Sequence, residues 1–477
     1  MHPLHSIREI TPFAASLAII AFVLAPANAV TLGISQDNRY FTINGKPTYL
    51  HGISYYGALS INKPEWLKQD LDDMREDGFN WIRVWVTWDP PGHDVSAIDK
   101  EGKVREPYMA RLKEVIRQCD KRGIVVDCTM TRTYMGTLEN NLIFARTLAK
   151  ELLPFRNVYF DVANERDVPG ARFVSFDEMG QLIAAIKEID PTRLCTASGG
   201  QRDKNILNEY LTTGKCDFIA PHLCRNEDCP SKTIGTVRQL IVWMEELHHR
   251  APIHLQEPFR RSYGRYDPTE ENYYRDNTGG KIGGAAGWCL HNGDTRSRAD
   301  RLPQRSFLMD DESGRMYAQL DQVEKAVADG GLGQLGYLSP YVLRFQAEYP
   351  EQVAHETGTR DGYAWVAKAG KDTKGLLAVA AYDGALTARK CRAVWTISAT
   401  GGSGKDTVVD LEVVAGGCTI ARKTVQRKNL AQDGVWKAVS LNFDLEPGKP
   451  FEMRANWPGV CSVKVDHITL NMDRDSR

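Results

Sequence analysis

Two glutamates in this sequence have positions from which they could act together as an acid and a nucleophile. Glu165 comes shortly after the apolar run 158–162, and Glu257 comes shortly after the apolar run 253–255. Hydrolysis of a glycosidic bond needs one carboxylic acid that protonates the leaving oxygen and one carboxylate that attacks the sugar or activates water. The surroundings must set the two pKa values apart, so that one group is protonated while the other is ionised. A single glutamate after a strand is usually a solvated loop residue, whereas two such residues with polar neighbours favour a catalytic pair.

The segments around the two glutamates predict the elements that would bring them together. From Val30 to about Val327, short β-branched runs alternate with longer amphipathic segments. Helical spacing of apolar residues is clearest at 65–77, 111–122 and 178–189. Strands are predicted at 48–51, 81–85, 124–128, 158–162, 194–196, 218–220, 253–255 and 287–290.

Eight βα units in roughly 300 residues predict an α/β fold of the (β/α)8 TIM-barrel type. In such a barrel the chemistry lies where strands end and βα loops begin, so Glu165 and Glu257 should both point into the mouth. The alternative is another α/β arrangement, such as a doubly wound sheet. No predicted strand is followed by a GxGxxG or P-loop motif, which disfavours the nucleotide-binding versions of that arrangement.

After Gly330-Gly331 the pattern changes to short β-branched runs, with hardly any helical periodicity. The predicted strands are 376–382, 393–398, 408–414, 439–443 and 462–470. Such a pattern predicts an antiparallel β-sandwich or jelly roll. The domains are therefore predicted as a leader at 1–29, a barrel at 30–330 and an accessory β-domain at 335–477. The accessory domain could bind glycan through Trp395, Trp436 or Trp457, or it could brace the enzyme with these residues in its core.

The N-terminus and the charge balance predict an exported protein with a neutral partner. The apolar run 12–26 followed by Ala27-Asn28-Ala29 is typical of a signal peptide, with Val30 as the mature start. The run is too short for a membrane span. Secretion or a periplasmic location is therefore expected. The 60 Lys and Arg against 61 Asp and Glu form no basic stripe, which disfavours nucleic acid and membrane as partners. No obligate protein partner is evident.

The cysteines and histidines favour a disulfide and no metal. Cys224 and Cys229 lie close together in one loop (CRNEDC), and export permits disulfides, so this pair is the best candidate for a bridge. Several other cysteines lie in apolar runs and are expected to be buried. The sequence has no CxxC zinc pattern, HxH or HExxH motif, so no metal or cofactor is predicted.

Six motifs in order resemble those of the clan of retaining glycosidases that includes glycoside hydrolase family 5, with its cellulases and mannanases. They cover most of the segment from Phe41 to Asp294. In chain order they are FTINGKP at 41–47, GFNWIR at 78–83, Asn164-Glu165, Ala220-Pro221-His222, Glu257, and Trp288 in GWCLHNGD. Each motif is weak alone, but their joint order and spacing form a strong signal.

The resemblance implies a role for each matching residue. Glu257 would be the nucleophile and Glu165 the acid/base, in a double displacement that retains the anomeric configuration. Asn164 would donate to the sugar 2-hydroxyl. Arg83 would keep Glu257 ionised, with a structural ion pair as the alternative. Two further roles are implied: His222 would orient Glu257, and Trp288 would form the floor of the sugar site, with a core position as the alternative.

The sequence also departs from the family pattern. Arg166 follows the acid/base where proline is usual, and Pro258 follows the nucleophile where Phe-Gly is usual. Cys224 stands where a tyrosine is often found after the strand-six histidine, and the third strand ends in Thr129-Met130-Thr131-Arg132 without a histidine. These differences leave the exact family, the sugar, the linkage and endo versus exo cleavage open. Further aromatic candidates for sugar contacts are Tyr55, Tyr56, Trp85, Trp88 and Tyr134.

The expected function is hydrolysis of O-glycosidic bonds in a β-linked polysaccharide or oligosaccharide. One rival hypothesis is a catalytically inactive barrel that binds glycan. The presence of both Glu165 and Glu257 argues against it, because an inactive barrel need keep neither. A second rival is a metal-dependent barrel hydrolase, which the missing ligand motifs disfavour.

Overall fold

The computed structural model describes residues 29–89, 93–131, 136–170, 173–201, 203–258, 260, 267–292, 306–330, 338–383, 390–430, 432–446 and 448–473. The predicted leader, except for its last residue, and the predicted sugar contact Tyr134 lie outside these residues and stay predictions. Within the described ranges, no helix has the length and apolar character that a membrane crossing would need.

A small antiparallel sheet precedes the main fold. Its strands are β1 (Leu32–Ile34), β2 (Phe41–Ile43) and β3 (Lys46–Thr48). Asn44 and Gly45 join β2 to β3 with φ values of 53° and 76°, as a two-residue type I′ hairpin turn requires. This hairpin is formed by the FTINGKP motif. Phe41 then packs its ring against those of Tyr159 and Phe218, which anchors the small sheet to the main one.

The main sheet is parallel, and a strand overlaps each of the eight predicted segments. The strands are β4 (Leu50–Ser54), β5 (Trp81–Trp85), β6 (Val125–Thr129), β7 (Val158–Asp161), β8 (Cys195–Thr196), β9 (Ser198–Gly199), β10 (Ala220–Pro221), β11 (His254–Leu255) and β12 (Gly287–Leu290). Only Ala197 separates β8 from β9, so these two pieces follow one another as a single predicted strand.

The strand order shows how strongly this sheet curls. Seven strands pair in the order β11-β12-β4-β5-β6-β7-β8, and β9 pairs with β10. Parallel bridges join Ile219 to Ile253 and His222 to Glu257, which links the sixth predicted strand to the seventh. The first strand β4 thus pairs with both the second strand β5 and the eighth strand β12. A doubly wound sheet does not have that order.

Amphipathic helices follow most of the parallel strands. They are α1 (Pro64–Glu76), α2 (Tyr108–Asp120), α3 (Leu138–Glu151), α4 (Phe176–Lys187), α5 (Lys204–Leu211), α6 (Cys229–Glu246), α7 (Glu270–Gly283), α8 (Met316–Gln319) and α9 (Gln322–Asp329). The three clearest predicted helices correspond to α1, α2 and α4, which start one to three residues earlier than predicted. A short 3₁₀ helix also occurs at Ala58–Ser60.

Local sequence explains where these helices begin and which face they bury. In α1, Pro64 occupies the first turn, where its missing N–H leaves no bond unmade. Leu67, Leu71 and Met74 recur at helical spacing and are buried. In α4, the side chain of Ser175 and that of Glu178 cap each other's backbone N–H groups at the first turn.

The chain after residue 338 forms antiparallel strands. They are β13 (Val342–Gln346), β14 (Thr359–Asp361), β15 (Ala364–Ala367), β16 (Gly375–Tyr382), β17 (Lys390–Thr400), β18 (Thr407–Ala415), β19 (Cys418–Gln426), β20 (Lys437–Asp444), β21 (Phe451–Trp457) and β22 (Ser462–Asp473). One sheet has the order β14-β15-β22-β17-β20, with β13 also on β22, and the other has the order β16-β21-β18-β19.

Two tryptophans considered for glycan binding lie in the core of this C-terminal region. Trp395 and Trp457 are fully buried, and the Trp457 indole donates to the backbone carbonyl of Cys461. Of the two alternatives left open for these residues, the structure shows the core position, because neither ring reaches solvent. Trp436 is about half exposed and stays a candidate.

Helix α7 joins the parallel sheet to the C-terminal strands. Arg275 of α7 donates two hydrogen bonds of 2.6 Å to Glu351, and both side chains are largely buried. Gln352 donates to Thr278 at 2.9 Å in the same contact. Paired, planar hydrogen bonds between a guanidinium and a carboxylate are among the stronger polar contacts in proteins. The C-terminal region is thus fixed to the outside of the parallel sheet through this helix.

We predict that Glu351→Gln lowers the free energy of unfolding by about 1–2 kcal/mol, because Arg275 loses its charged partner. Urea denaturation followed by tryptophan fluorescence measures the change. Asp361→Asn is the control, since its ion pair with Lys464 lies on the surface of the C-terminal region. Equal stability of Glu351→Gln and the unsubstituted protein would contradict the importance of this contact.

Candidate active site

The centre of the site is a cation that no solvent reaches. Arg83 lies in the middle of β5, and its side chain is fully buried. It donates from Nη1 to Glu257 Oε1 at 2.5 Å, and from Nη2 to Asp161 Oδ2 at 2.9 Å and to Asn164 Oδ1 at 3.0 Å. Its Nε donates to Thr129 Oγ1 at 2.9 Å. Every nitrogen of the guanidinium group therefore has an acceptor.

A third carboxylate, on the neighbouring strand, completes the surroundings of Arg83. Asp127 of β6 lies directly beside Arg83 in the strand register, with Oδ2 at 3.3 Å from Arg83 Nε. The same oxygen lies 2.8 Å from Gln256 Nε2 and 3.1 Å from Tyr159 Oη. Burial alone would lower the pKa of Arg83, but the surrounding carboxylates of Glu257, Asp127 and Asp161 raise it well above its usual value. Arg83 is a permanent cation.

Glu257 is held as an anion by groups from several strands. Its Oε2 accepts from Arg225 Nη2 at 2.5 Å, and the Tyr56 hydroxyl donates to its Oε1 at 3.4 Å. His222 Nδ1 lies 3.5 Å and His291 Nε2 3.7 Å from Oε2. Burial alone would raise the pKa of Glu257. The two histidines and the two guanidinium groups outweigh burial and hold that pKa well below its usual range.

Glu165 differs from Glu257 in exposure and in backbone geometry. Its side chain is 24% exposed, compared with 6% for Glu257. Its Oε1 lies 3.4 Å from His222 Nδ1 and 3.6 Å from Arg225 Nη2. Its φ of 49° is in the left-handed region, and its N–H donates to Ser198 Oγ at 3.2 Å. Such backbone strain in a non-glycine residue is typical of functional sites.

The two carboxylates are close neighbours. One oxygen of Glu165, one oxygen of Glu257 and a ring nitrogen of His222 all lie within 4.8 Å of one another. Three such ligand atoms are close enough for a metal ion. Arg83 and Arg225 already bind both oxygens of Glu257, so we assign no metal ion to these three ligand atoms.

The structure thus brings together five of the six residues selected from the sequence: Glu165, Glu257, Arg83, Asn164 and His222. Their elements explain why. Arg83 comes from β5, Asn164 and Glu165 follow β7, His222 follows β10, and Glu257 follows β11. Since these strands are parallel, their carboxyl ends meet at one end of the sheet.

The prediction for Trp288 is wrong. Trp288 lies within β12 rather than after it, and its side chain is fully buried. Its indole donates to Asp276 Oδ2 of α7 at 2.7 Å, and its ring stacks on His51. Successive side chains of a strand point to opposite faces. Trp288 faces the helices, whereas Cys289 belongs to the cluster that includes the interior residue Trp81. Trp288 therefore cannot form the floor of a sugar site.

Among the aromatic candidates for sugar contacts, some lie at the site and one points away from it. Tyr56 lies in the site and contacts Glu257, and burial raises the pKa of Tyr56, so its hydroxyl keeps the proton that it donates. Trp85 packs against Tyr56 with ring centroids 4.8 Å apart, and Trp88 packs against Trp85 at 4.5 Å. Tyr55 points away, because its hydroxyl donates to Asp70 of α1 at 2.9 Å. Tyr55 is therefore not a sugar contact.

Sequence reasoning missed two residues that lie beside Glu257. Arg225 lies in the CRNEDC loop, which was considered only for its cysteines, and the predicted Cys224–Cys229 disulfide is present. An arginine in the loop that follows the sixth strand was the available signal. His291 follows β12 in the GWCLHNGD motif, in which Trp288 alone was selected. His291 comes after the strand, whereas Trp288 lies within it, and this difference was the available signal.

Comparisons with known proteins agree with this geometry. Residues 41–235 match the family model described as Cellulase (glycosyl hydrolase family 5). A comparison with curated proteins gives no match.

Among solved structures, one titled "Glycoside hydrolase" is 13% identical, with a TM-score of 0.55 over 94% of this chain and 98% of that one. A glycoside hydrolase family 5 structure from Bacteroides vulgatus is 14% identical, with a TM-score of 0.53 over 93% and 94%. A putative glycoside hydrolase from the same organism is 14% identical, with a TM-score of 0.50 over 90% and 83%. At these identities the likeness concerns the fold, and it extends over both regions of the chain.

The fold, the paired carboxylates and the family match define a glycoside hydrolase. More narrowly, residues 41–235 match the model of glycosyl hydrolase family 5, and a solved structure of that family has a similar fold.

We predict that Arg83→Met lowers the free energy of unfolding by about 3–5 kcal/mol, because Glu257, Asp127 and Asp161 lose the cation between them. The deficit should shrink at acid pH, where the carboxylates can take up protons. Chemical denaturation at several pH values measures both effects. Arg146→Gln is the matched control, since this arginine pairs with Glu188 at the surface. A fully stable Arg83→Met protein at neutral pH would contradict the prediction.

Proposed function

We propose that this protein is a retaining glycoside hydrolase of β-linked polysaccharides or oligosaccharides. Its parallel strands would form a closed (β/α)8 barrel, followed by a β-sandwich that braces the barrel through α7. The family match supports the barrel, since this is the fold of the family. The strand order and the bridges between the sixth and seventh strands support its closure.

The observation that carries the proposal is the short distance between Glu165 and Glu257. In retaining enzymes the two carboxyl groups lie about 5–5.5 Å apart, whereas inverting enzymes need about 6.5–9.5 Å to seat a water molecule. Here the nearest oxygens of the two groups lie within 4.8 Å. That distance favours direct attack by one carboxylate over attack by an intervening water.

The surroundings of the two groups assign their roles. Glu257 is buried, anionic and held at both oxygens, which suits a nucleophile. Glu165 is more exposed, which suits a group that exchanges a proton with the leaving group and later with water. In the first step a Glu257 oxygen bonds to the anomeric carbon while the glycosidic bond breaks. The bonding electron pair leaves with the glycosidic oxygen, which takes the proton of Glu165.

The second step reverses these changes. Glu165, now a carboxylate, removes a proton from a water molecule whose oxygen bonds to the anomeric carbon. The ester bond to Glu257 breaks, and its electron pair returns to the carboxylate. Two inversions at one carbon give net retention.

Asn164 has the geometry for its proposed contact with the sugar. Its amide oxygen accepts from Arg83 Nη2, so its NH₂ group is directed away from Arg83 and can donate to a 2-hydroxyl. His222 lies between both carboxylates, as a residue that orients Glu257 should. The inactive-barrel hypothesis does not account for so complete a set of contacts around Glu257.

We predict that Glu257→Gln abolishes turnover, because an amide cannot form the glycosyl ester. Glu165→Gln should lower activity on polysaccharide about 10²–10⁴-fold, since protonation of the leaving group is lost. It should still release good leaving groups from aryl glycosides, and azide should restore turnover by replacing the water that Glu165 activates. Reducing ends released from β-mannan, β-glucan, xylan and galactan measure activity, and NMR of the first product gives its anomeric configuration.

The control for both variants is Glu188→Gln, a glutamate of the surface pair with Arg146. Near-normal polysaccharide activity in either active-site variant would show that the roles are misassigned. An inverted product would rule out the double displacement itself.

We also propose that the protein is exported and that its leader is removed after Ala29. The support is the A-x-A pattern after a short apolar run. N-terminal sequencing of the protein expressed with its leader, in a host with a signal peptidase, should begin at Val30. Material that still begins with Met1 would contradict the proposal.

A further inference from the structure

Arg225 has a position that the proposed chemistry does not yet use. Its Nη2 lies 2.5 Å from Glu257 Oε2 and 3.6 Å from Glu165 Oε1, and its side chain is only 12% exposed. One guanidinium group is thus shared unequally by the two carboxylates. It is nearer to Glu257 by 1.1 Å, the difference between these two distances.

The loop that carries Arg225 is fixed to the nucleophile's own segment. The disulfide between Cys224 and Cys229 closes the loop, and α6 begins at Cys229. On the other side, the Leu223 N–H donates to the Glu257 carbonyl at 3.1 Å. The backbone before and after Arg225 is therefore anchored. A movement of the guanidinium between the carboxylates needs only a change in the Arg225 side chain.

The double displacement moves one negative charge between these carboxylates. Before the first step Glu257 is ionised and Glu165 carries a proton. After the ester forms, Glu257 is neutral and Glu165 is ionised. A buried charge that loses its partner is strongly destabilising, so a cation fixed on Glu257 alone would oppose the formation of the ester.

We propose that Arg225 is a positioning residue that pairs with whichever catalytic carboxylate is charged: Glu257 in the free enzyme, and Glu165 in the glycosyl-enzyme. This inference rests on the proposed retaining function. Arg225 makes and breaks no covalent bond and keeps all its protons, because guanidinium does not titrate in proteins. Its shift of about 1 Å lets the charge move without leaving an unpaired ion.

Other charged and titratable groups also face the two carboxylates. In the proposed mechanism these side chains keep their positions while Arg225 moves. Arg83 binds the Glu257 oxygen opposite to the one that Arg225 binds, so Glu257 keeps one cation throughout. The groups that face the pair from each surrounding element are Tyr56 after β4, Arg83 on β5, His222 and Arg225 after β10, and His291 after β12.

The first test is the pH dependence of kcat/KM for Arg225→Gln and Arg225→Lys. The probe is the polysaccharide, among β-mannan, β-glucan, xylan and galactan, that the enzyme hydrolyses fastest, because its leaving group needs protonation by Glu165. Loss of a cation raises the pKa of a nearby carboxylate by about one unit or more. Glu257 must be ionised and Glu165 protonated, so both the acid and the basic limb of the Arg225→Gln profile should move to higher pH.

Arg225→Lys keeps the charge and should keep both limbs near those of the unsubstituted enzyme, while Arg146→Gln should change nothing. A purely structural role for Arg225 would lower activity without moving the limbs. A basic limb that stays in place in Arg225→Gln would therefore overturn the proposal.

The second test needs no variant. A 2-deoxy-2-fluoro glycoside of the same sugar should trap the ester on Glu257, and a crystal structure of that species shows where Arg225 lies. We expect Arg225 Nη2 within hydrogen-bonding distance of Glu165, and no longer on the esterified Glu257. Arg225 still bound to Glu257 would overturn this inference but leave the retaining function intact. Failure of any ester to form on Glu257 in an enzyme with glycosidase activity would instead overturn the retaining function.

Discussion

The structure depends on the burial of one permanent positive charge, that of Arg83. A guanidinium group without solvent is tolerated only when its partners are anionic and well placed. Here they come from three other strands of the sheet: Asp127 from β6, Asp161 from β7 and Glu257 after β11. A slip of one residue in any of these strands would turn a partner to the other face of the sheet. The contacts that hold Glu257 therefore also hold the strands in register.

The alternation of side chains along each strand separates two polar systems. The interior contains the cluster around Arg83, and the helix side contains a second cluster around Asp276 of α7. Trp288 Nε1 donates to Asp276, which Thr233 of α6 also contacts, and burial raises the pKa of Asp276 to about 6. The same helix carries Arg275, which pairs with Glu351 of the C-terminal region. The eighth strand is thus connected through α7 to the accessory β-structure, which gives that region a physical means to brace the active site.

The features of the structure that depend on local sequence patterns could be predicted from the sequence. The βα rhythm located the eight parallel strands, and the positions of Glu165, Glu257 and Arg83 relative to those strands located the site. Trp288 was misplaced because strand prediction does not fix which face of the sheet a given residue occupies. A shift of one residue along the strand moves a side chain from one face to the other. Arg225 was missed because its position depends on the path of a cross-linked loop. The strand β19 was missed because it is mostly exposed and so lacks alternating burial.

The charges around Glu257 explain how so many acids can share one small site. Arg83 and Arg225 supply two permanent positive charges against Asp127, Asp161, Glu257 and Glu165. Burial raises the pKa of Asp127 to about 8, with Asp161 adding to the rise and Arg83 opposing it. In the proposed mechanism Glu165 gives up its proton as Glu257 loses its charge to an ester, so the number of anions beside the two guanidinium groups stays the same through both halves of the reaction.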